Sequence, residues 1–304
     1  MLIINTLLPI FLLISLGYFF KQIKFPDENF WKQLDKFNYF VLFPALLFYK
    51  LSSADIKNIT NFDFIISSVL VLIIVSILII LVNKILKFEN SSFTSIYQGT
   101  IRFNVYVFLA LTDALLSDEG FVMGLLLMTF VIPIINVLCI SVFTVYVPKN
   151  KITVVSFLKS VFTNPLIVAC ILGGIFSVLG WKFPTLIDNT FSILTSAALP
   201  LGLLSVGVGL HLSSIKETKS ALVITTIGKL IIFPIIMYIV SRLFGIEGEM
   251  LFLLILIAST PTASSAYVLA RQLGGDLKLM SSIISIQVIL SMFTISIFIW
   301  LASS

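Results

Sequence analysis

Seven residues late in the chain, Ser259-Thr260-Pro261-Thr262-Ala263-Ser264-Ser265, place a proline and five hydroxyls inside an otherwise apolar run. Pro261 has no amide hydrogen, and its ring clashes with the carbonyl of Ile257 if the helix continues. The neighbouring hydroxyls can satisfy the backbone groups such a break frees. A helix restarting there would aim its N-terminus, with its partial positive charge, into the apolar interior, where it suits an anion. A second stretch, Gln98-Gly99-Thr100-Ile101-Arg102-Phe103-Asn104, is also polar within an apolar run. An arginine at the centre of a membrane helix costs roughly 2.5–3.5 kcal/mol, so Arg102 is expected to face protein or water. Its fork suits a carboxylate, and its structural alternative is to hold backbone carbonyls or to snorkel.

Other polar residues in apolar runs extend this candidate anion site. Thr262, Asn136 and Gln287 can contact a ligand, and for the two amides the plain alternative is interhelical hydrogen bonding. Lys229 is either a second cationic contact or a lysine snorkelling from near a helix start, and its position favours snorkelling. Asp113 is an acid well inside an apolar segment. It could carry a coupling proton, or lie near enough to the surface to be solvated. Cys139 and Cys170 have no metal-like spacing and read as small core residues, and no metal site or cofactor is expected. The single histidine, His211, has no sequence partner that suggests catalysis, which speaks against a membrane-embedded enzyme.

The elements that must position these residues follow from composition. The chain is 59% hydrophobic and 11% charged, with mean hydropathy +1.15. A soluble domain is about a quarter charged, so this chain uses lipid as its solvent. Long continuous apolar runs indicate helices rather than barrel strands. The net charge of +5 is spread thinly between those runs, as loop anchors rather than a nucleic-acid surface. Ten segments can be drawn: Leu2–Phe20, Phe37–Leu51, Phe62–Leu86, Phe93–Leu116, Phe121–Val147, Val161–Trp181, Leu186–Leu210, Ala221–Phe244, Met250–Leu273 and Leu279–Leu301. No charge precedes the first apolar stretch, so that helix is expected to be retained rather than cleaved as a leader.

The halves repeat. At an offset of 156, Pro9, Gly17 and Pro44 fall on Pro165, Gly173 and Pro200, and Asn104 falls beside Thr260-Pro261. The odd-numbered loops hold thirteen Lys and Arg and the even-numbered loops four, which places the odd loops in the cytoplasm and both termini outside. Five segments per copy invert the second copy relative to the first. The expected fold is therefore an all-α polytopic membrane protein: ten transmembrane helices as two inverted five-helix repeats, residues 1–148 and 149–304, with the ninth segment interrupted at Pro261 and a weaker interruption in the fourth. Pro148-Lys149-Asn150-Lys151 is the seam. Such repeats with interrupted helices point to a secondary transporter.

The whole chain resembles the auxin efflux carrier family in its bacterial branch. The resemblance rests on Leu8-Pro9 through Gly17-Tyr18, Phe43-Pro44-Ala45, Arg102-Phe103-Asn104, Asn164-Pro165-Leu166, Ala198-Leu199-Pro200-Leu201 with Gly207, and Pro261 through Gln272. It implies a scaffold of helices 1, 2, 6 and 7. It implies a mobile domain of helices 3–5 and 8–10, with a substrate site at Asn104 and Pro261, where the broken helices 4 and 9 unwind and cross. It further implies organic anions as substrates, auxin in plants and dicarboxylates such as malate or malonate in bacteria. This chain lacks the plant members' proline after the asparagine, and their long cytoplasmic loop. Proton or sodium coupling and a homodimer stay open. A sodium-coupled bile-acid-type symporter or a cation/proton antiporter is the alternative. The first would need clustered oxygens and the second paired acids at the crossing.

Overall fold

The computed structural model describes residues 2–54, 62–147, 164–212 and 219–303, and all regular structure among them is helical. α1 is Leu2–Gln22. A continuous helical run follows, from α2 (Glu28–Phe37) through a π turn (Asn38–Leu42) into α3 (Phe43–Ser53). α4 is Asp63–Leu86, α5 Asn90–Ile101, α6 Val105–Leu115 and α7 Asp118–Tyr146. α8 is Pro165–Val178, and α9 (Thr185–Ser196) bends into α10 (Ala198–Val208). α11 (Lys219–Ile227) passes through a second π turn (Gly228–Ile232) into α12 (Phe233–Leu243). α13 (Gly248–Ser259), α14 (Ser265–Leu273) and α15 (Leu277–Ser303) complete the chain.

Five described stretches are long and apolar enough to cross a membrane: Asp63–Leu86, Asp118–Tyr146, Thr185–Val208, Ser220–Leu243 and Leu277–Ala302. Shorter apolar helices lie at Thr6–Gln22, Pro165–Val178 and Gly248–Ser259. Caps set several ends. Ser117 Oγ accepts from Gly120 N ahead of Asp118 and Glu119, which complement the N-terminus of α7. Asn164 caps α8, with Pro165 in its first turn. Gly274, at φ +83°, closes α14 in the left-handed conformation. Both π turns run directly into a Phe-Pro pair, Phe43-Pro44 and Phe233-Pro234. The wider turn shifts the carbonyl that the proline ring would strike.

The second segment begins earlier than hydropathy indicates, at Glu28 rather than Phe37. Asp27 Oδ1 accepts from Phe30 N, and a 2.7 Å Lys32–Glu28 pair braces the exposed face, so this turn is amphipathic and its helical character is invisible to a hydropathy window. The seam at residues 148–151 and the loop lysines Lys57, Lys149, Lys151, Lys159 and Lys216 lie outside the described residues, as does the start of the sixth segment at Val161.

Glycine brings two helix pairs into backbone contact. On α1, Gly17 faces the Leu204 carbonyl of α10, and Gly207 of α10 faces the Ile14 carbonyl. On α8, a Cβ at Gly173 would stand 2.8 Å from the Phe48 carbonyl of α3. The remaining helices, α4, α5, α7 and α11–α15, pack mainly on one another. α6 touches both groups, meeting α1 and α10 on one side and α7 and α13 on the other.

Candidate functional site

The two polar stretches become two helix interruptions, and the interruptions meet. α5 stops at Ile101, and Arg102 is extended at φ −75°, ψ 156°. Asn104 restarts the chain as α6: its Oδ1 accepts from Tyr106 N at 3.1 Å and Val107 N at 3.2 Å. α13 stops at Ser259 with Thr260 extended at φ −67°, ψ 145°, and α14 restarts at Ser265. Between the breaks, Asn104 N donates to Pro261 O at 2.8 Å.

Helix ends leave backbone groups that need partners. One side chain serves both breaks here. Gln287 Oε1 accepts from Thr262 N at 2.9 Å, and its Nε2 donates to Gly99 O at 2.9 Å and to Thr225 O at 3.4 Å. Thr262 Oγ1 donates to Gln98 O at 3.3 Å, and Thr260 Oγ1 to Ile257 O at 2.9 Å.

Arg102 is 9% exposed. Its Nη1 donates to Ser265 Oγ at 3.2 Å and its Nη2 to Asn136 Oδ1, so the guanidinium is held between α14 and α7. Other buried polar atoms around the breaks have no hydrogen-bond partner: Arg102 Nε, Asn104 Nδ2, Ser259 Oγ, Ser264 Oγ, and both amide atoms of Gln98. Such groups are costly unless something pairs with them.

Arg102, Asn104, Asn136, Pro261, Thr262 and Gln287 thus form one connected constellation. Lys229 lies in the second π turn, one turn beyond Thr225. It is 0% exposed, its Nζ has no hydrogen-bond partner, and the ammonium sits 4.3 Å from the centroid of the Phe233 ring. Snorkelling is therefore corrected: the π turn points this side chain into protein, where an aromatic face receives it.

Asp113 lies apart. It ends α6 on a cavity of about 960 Å³ whose walls include Lys50, Asp118 and Glu119 and which reaches Ala110 and Leu203. Lys50 Nζ stands 3.9 Å from Asp113 and 3.7 Å from Asp118, linking α3 to α6 and α7. One helical turn below Ala110, Tyr106 packs edge-on to Phe43 at 4.7 Å and fills the space beside Gly202. Sequence reasoning missed two groups. Gln98 stood only as one member of the polar stretch 98–104, its place in a helical turn giving no sign that its amide would lack a partner. Lys50 read as a loop anchor, and only the fold brings it to the acids.

Residues 148–299, half of the chain, match the family described as membrane transport protein. Over 99% of its length the chain is 25% identical to a Rhizobium meliloti protein named "Putative malonate transporter", covering 96% of that relative. It is 29% identical over 149 residues to an uncharacterized transporter of Methanocaldococcus jannaschii, 48% of each chain. It is 33% identical over 135 residues to an uncharacterized transporter of Methanothermobacter thermautotrophicus, 44% of each. With its apolar spanning helices and paired interruptions, the chain is a multi-pass membrane protein and belongs to the membrane transport protein family of auxin efflux carriers.

Proposed function

We propose that this transporter moves a small organic anion, a carboxylate, across the cytoplasmic membrane by alternating access. In this reading residues 1–148 and 149–304 are inverted repeats. α1, α2–α3, α8 and α9–α10 form a scaffold, and α4–α7 with α11–α15 form a carrier that slides against it. The glycine contacts support the repeat. Gly17 meets Leu204, and Gly173 meets Phe48; the offset of 156 turns each residue of one contact into a residue of the other. Such exchanged contacts are what a two-fold axis in the membrane plane produces.

The observation that carries the anion reading is the buried guanidinium at the meeting of the two breaks. Arg102 is held by the neutral Asn136 and Ser265 and lies beside the Cys139 thiol, and its Nε is unpartnered. The stretches 98–104 and 259–265 contain no acid. A buried cation without an anion is expensive, and a carboxylate arriving there relieves that cost. Asn104 Nδ2 and Lys229 Nζ add unpartnered donors. The sodium alternative is disfavoured by the same geometry, because Ser265 Oγ accepts from Arg102, which sets a full positive charge against the hydroxyls a sodium ion would use. A malonate-type substrate fits the name of the Rhizobium meliloti relative.

The test is uptake into proteoliposomes of malonate and of its neutral diamide, by wild type and by Arg102→Gln. Wild type should prefer the carboxylate, and losing the ionic contact should reduce malonate binding at least about tenfold. If wild type does not distinguish malonate from the diamide, the anion reading fails. An undiminished preference in Arg102→Gln moves the charge to Lys229 and the helix ends.

A further inference from the structure

Gln98 is fully buried in the last turn of α5, and neither its Nε2 nor its Oε1 has a partner. A primary amide needs a partner that donates as well as accepts. A carboxylate only accepts, so it would leave Oε1 facing a second oxygen. A hydroxyl offers both functions on one atom, too small to span the amide. A protonated carboxyl group presents a donor and an acceptor side by side, matching the amide in a two-bond ring.

Gln98 also stands in register with the cation. Arg102 N donates to Gln98 O at 3.0 Å, so the helical ladder is intact between them, and residues four apart on a helix are side-chain neighbours. We propose, building on the anion reading, that Gln98 binds the protonated carboxyl of a short dicarboxylic acid while Arg102 binds the ionised one, so that the carried species is the half-ionised acid. The dianion plus one proton from solution gives this monoanion. Its O–H donates to Gln98 Oε1, its C=O accepts from Gln98 Nε2, and the proton leaves with it on release.

The surroundings leave the substrate as the proton's carrier. The elements packed on α5 are α4, α7, α11, the Gly228–Ile232 turn, α14 and α15. The acids of these elements and their caps, Asp63 on α4, Asp118 and Glu119 on α7 and Asp276 capping α15, lie at helix ends, and Asp276 accepts from Ser92 Oγ in the first turn of α5, ten residues before Arg102. The ionisable groups placed by the last turns of α5 are Tyr97 on the helix itself, Arg102, Cys139 beside Arg102, and Lys229 in the Gly228–Ile232 turn, none of them a carboxylic acid. The remaining cations of these elements, Lys84, Lys219, Arg271 and Lys278, sit at helix ends.

Titration calorimetry of the full-length protein in detergent tests this. The ligands are malonate, malonamate (its half-amide, a permanent donor-acceptor mimic) and monomethyl malonate (an acceptor-only ester). At about pH 8, where free carboxyls are ionised, measurements in buffers of different ionisation enthalpy give the proton count. Malonate should take up about one proton per molecule bound and malonamate none. Wild type should prefer malonamate to monomethyl malonate by about tenfold or more, one hydrogen-bonded pair's worth, and Gln98→Leu should lose that preference. Malonate binding without proton uptake overturns the inference and leaves the anion reading standing; so does a preference kept by Gln98→Leu. The proton count is made on wild type, so it does not depend on how the variant folds. If none of the three ligands binds wild type, the anion reading fails and this inference with it.

Discussion

At the scale of single residues, the two ends of the Asn104 amide differ. Its Oδ1 caps α6, and its Nδ2 is buried without a partner. Losing an N-cap typically costs about 1 kcal/mol, and serine at that position caps nearly as well. Asn104→Ala should therefore lower the melting temperature by several degrees and stop transport. Asn104→Ser should recover the melting temperature and still fail in transport if Nδ2 touches substrate; full transport by the serine variant would reduce Asn104 to a cap. Arg102 and Pro261 were legible in the sequence because a charge or a missing amide inside an apolar run carries a cost that needs a reason. Gln98 was not, since nothing in one amide in a helical turn says whether another helix supplies its partner. Lys229 was misjudged for a related reason: the π turn that directs it inward depends on Pro234 and on its packing, not on hydropathy.

At the scale of elements, close approach at glycine should be sensitive to one methyl group. A Cβ at Gly207 would collide with the Ile14 carbonyl of α1, whereas a Cβ at Gly174, the next helix position after Gly173, meets nothing within 4 Å. Overpacking of this kind costs typically 1–3 kcal/mol. Gly207→Ala should lower thermal stability by that order, and Gly174→Ala should leave it unchanged or raise it slightly through helix propensity. Comparable melting curves for the two variants would show that α1 and α10 can part without penalty. Helical character, and the polar stretches at which the chain departs from it, were readable from apolar run lengths and from Pro261. The N-terminal extension of the second segment was not. Its stability comes from the Asp27 cap, the Glu28–Lys32 pair and the inward face of Trp31, a pattern belonging to amphipathic helices.

At the scale of the whole molecule, the cavity beside Lys50 opens on the side that the loop charges assign to the outside. Ser53 lines it, and Lys278 begins α15 at the other end of the fold. A membrane-impermeant thiol reagent applied to intact cells should therefore label Ser53→Cys and spare Lys278→Cys, in a background lacking Cys139 and Cys170. The opposite pattern would reverse the orientation and leave the repeat untouched. The offset between halves was legible because prolines and glycines mark backbone positions. The contacts of α1 with α10 and of α3 with α8 were not, because which helices meet follows from how they pack. The cavity also carries three acids against one lysine, so its field opposes entry of an anion from that side, increasingly so at low ionic strength.

The tie between the two breaks runs from Asn104 N to Pro261 O, main chain to main chain. A bond of that kind is blind to heredity at almost every substitution. Of the twenty residues, only proline at position 104 would remove the donor, and no replacement at position 261 removes the carbonyl. The side chains around the crossing can therefore be exchanged without dismantling the junction. A saturation library across positions 98–104, selected for growth on alternative carbon sources, should accordingly yield altered substrate preference from several positions and exclude proline at 104.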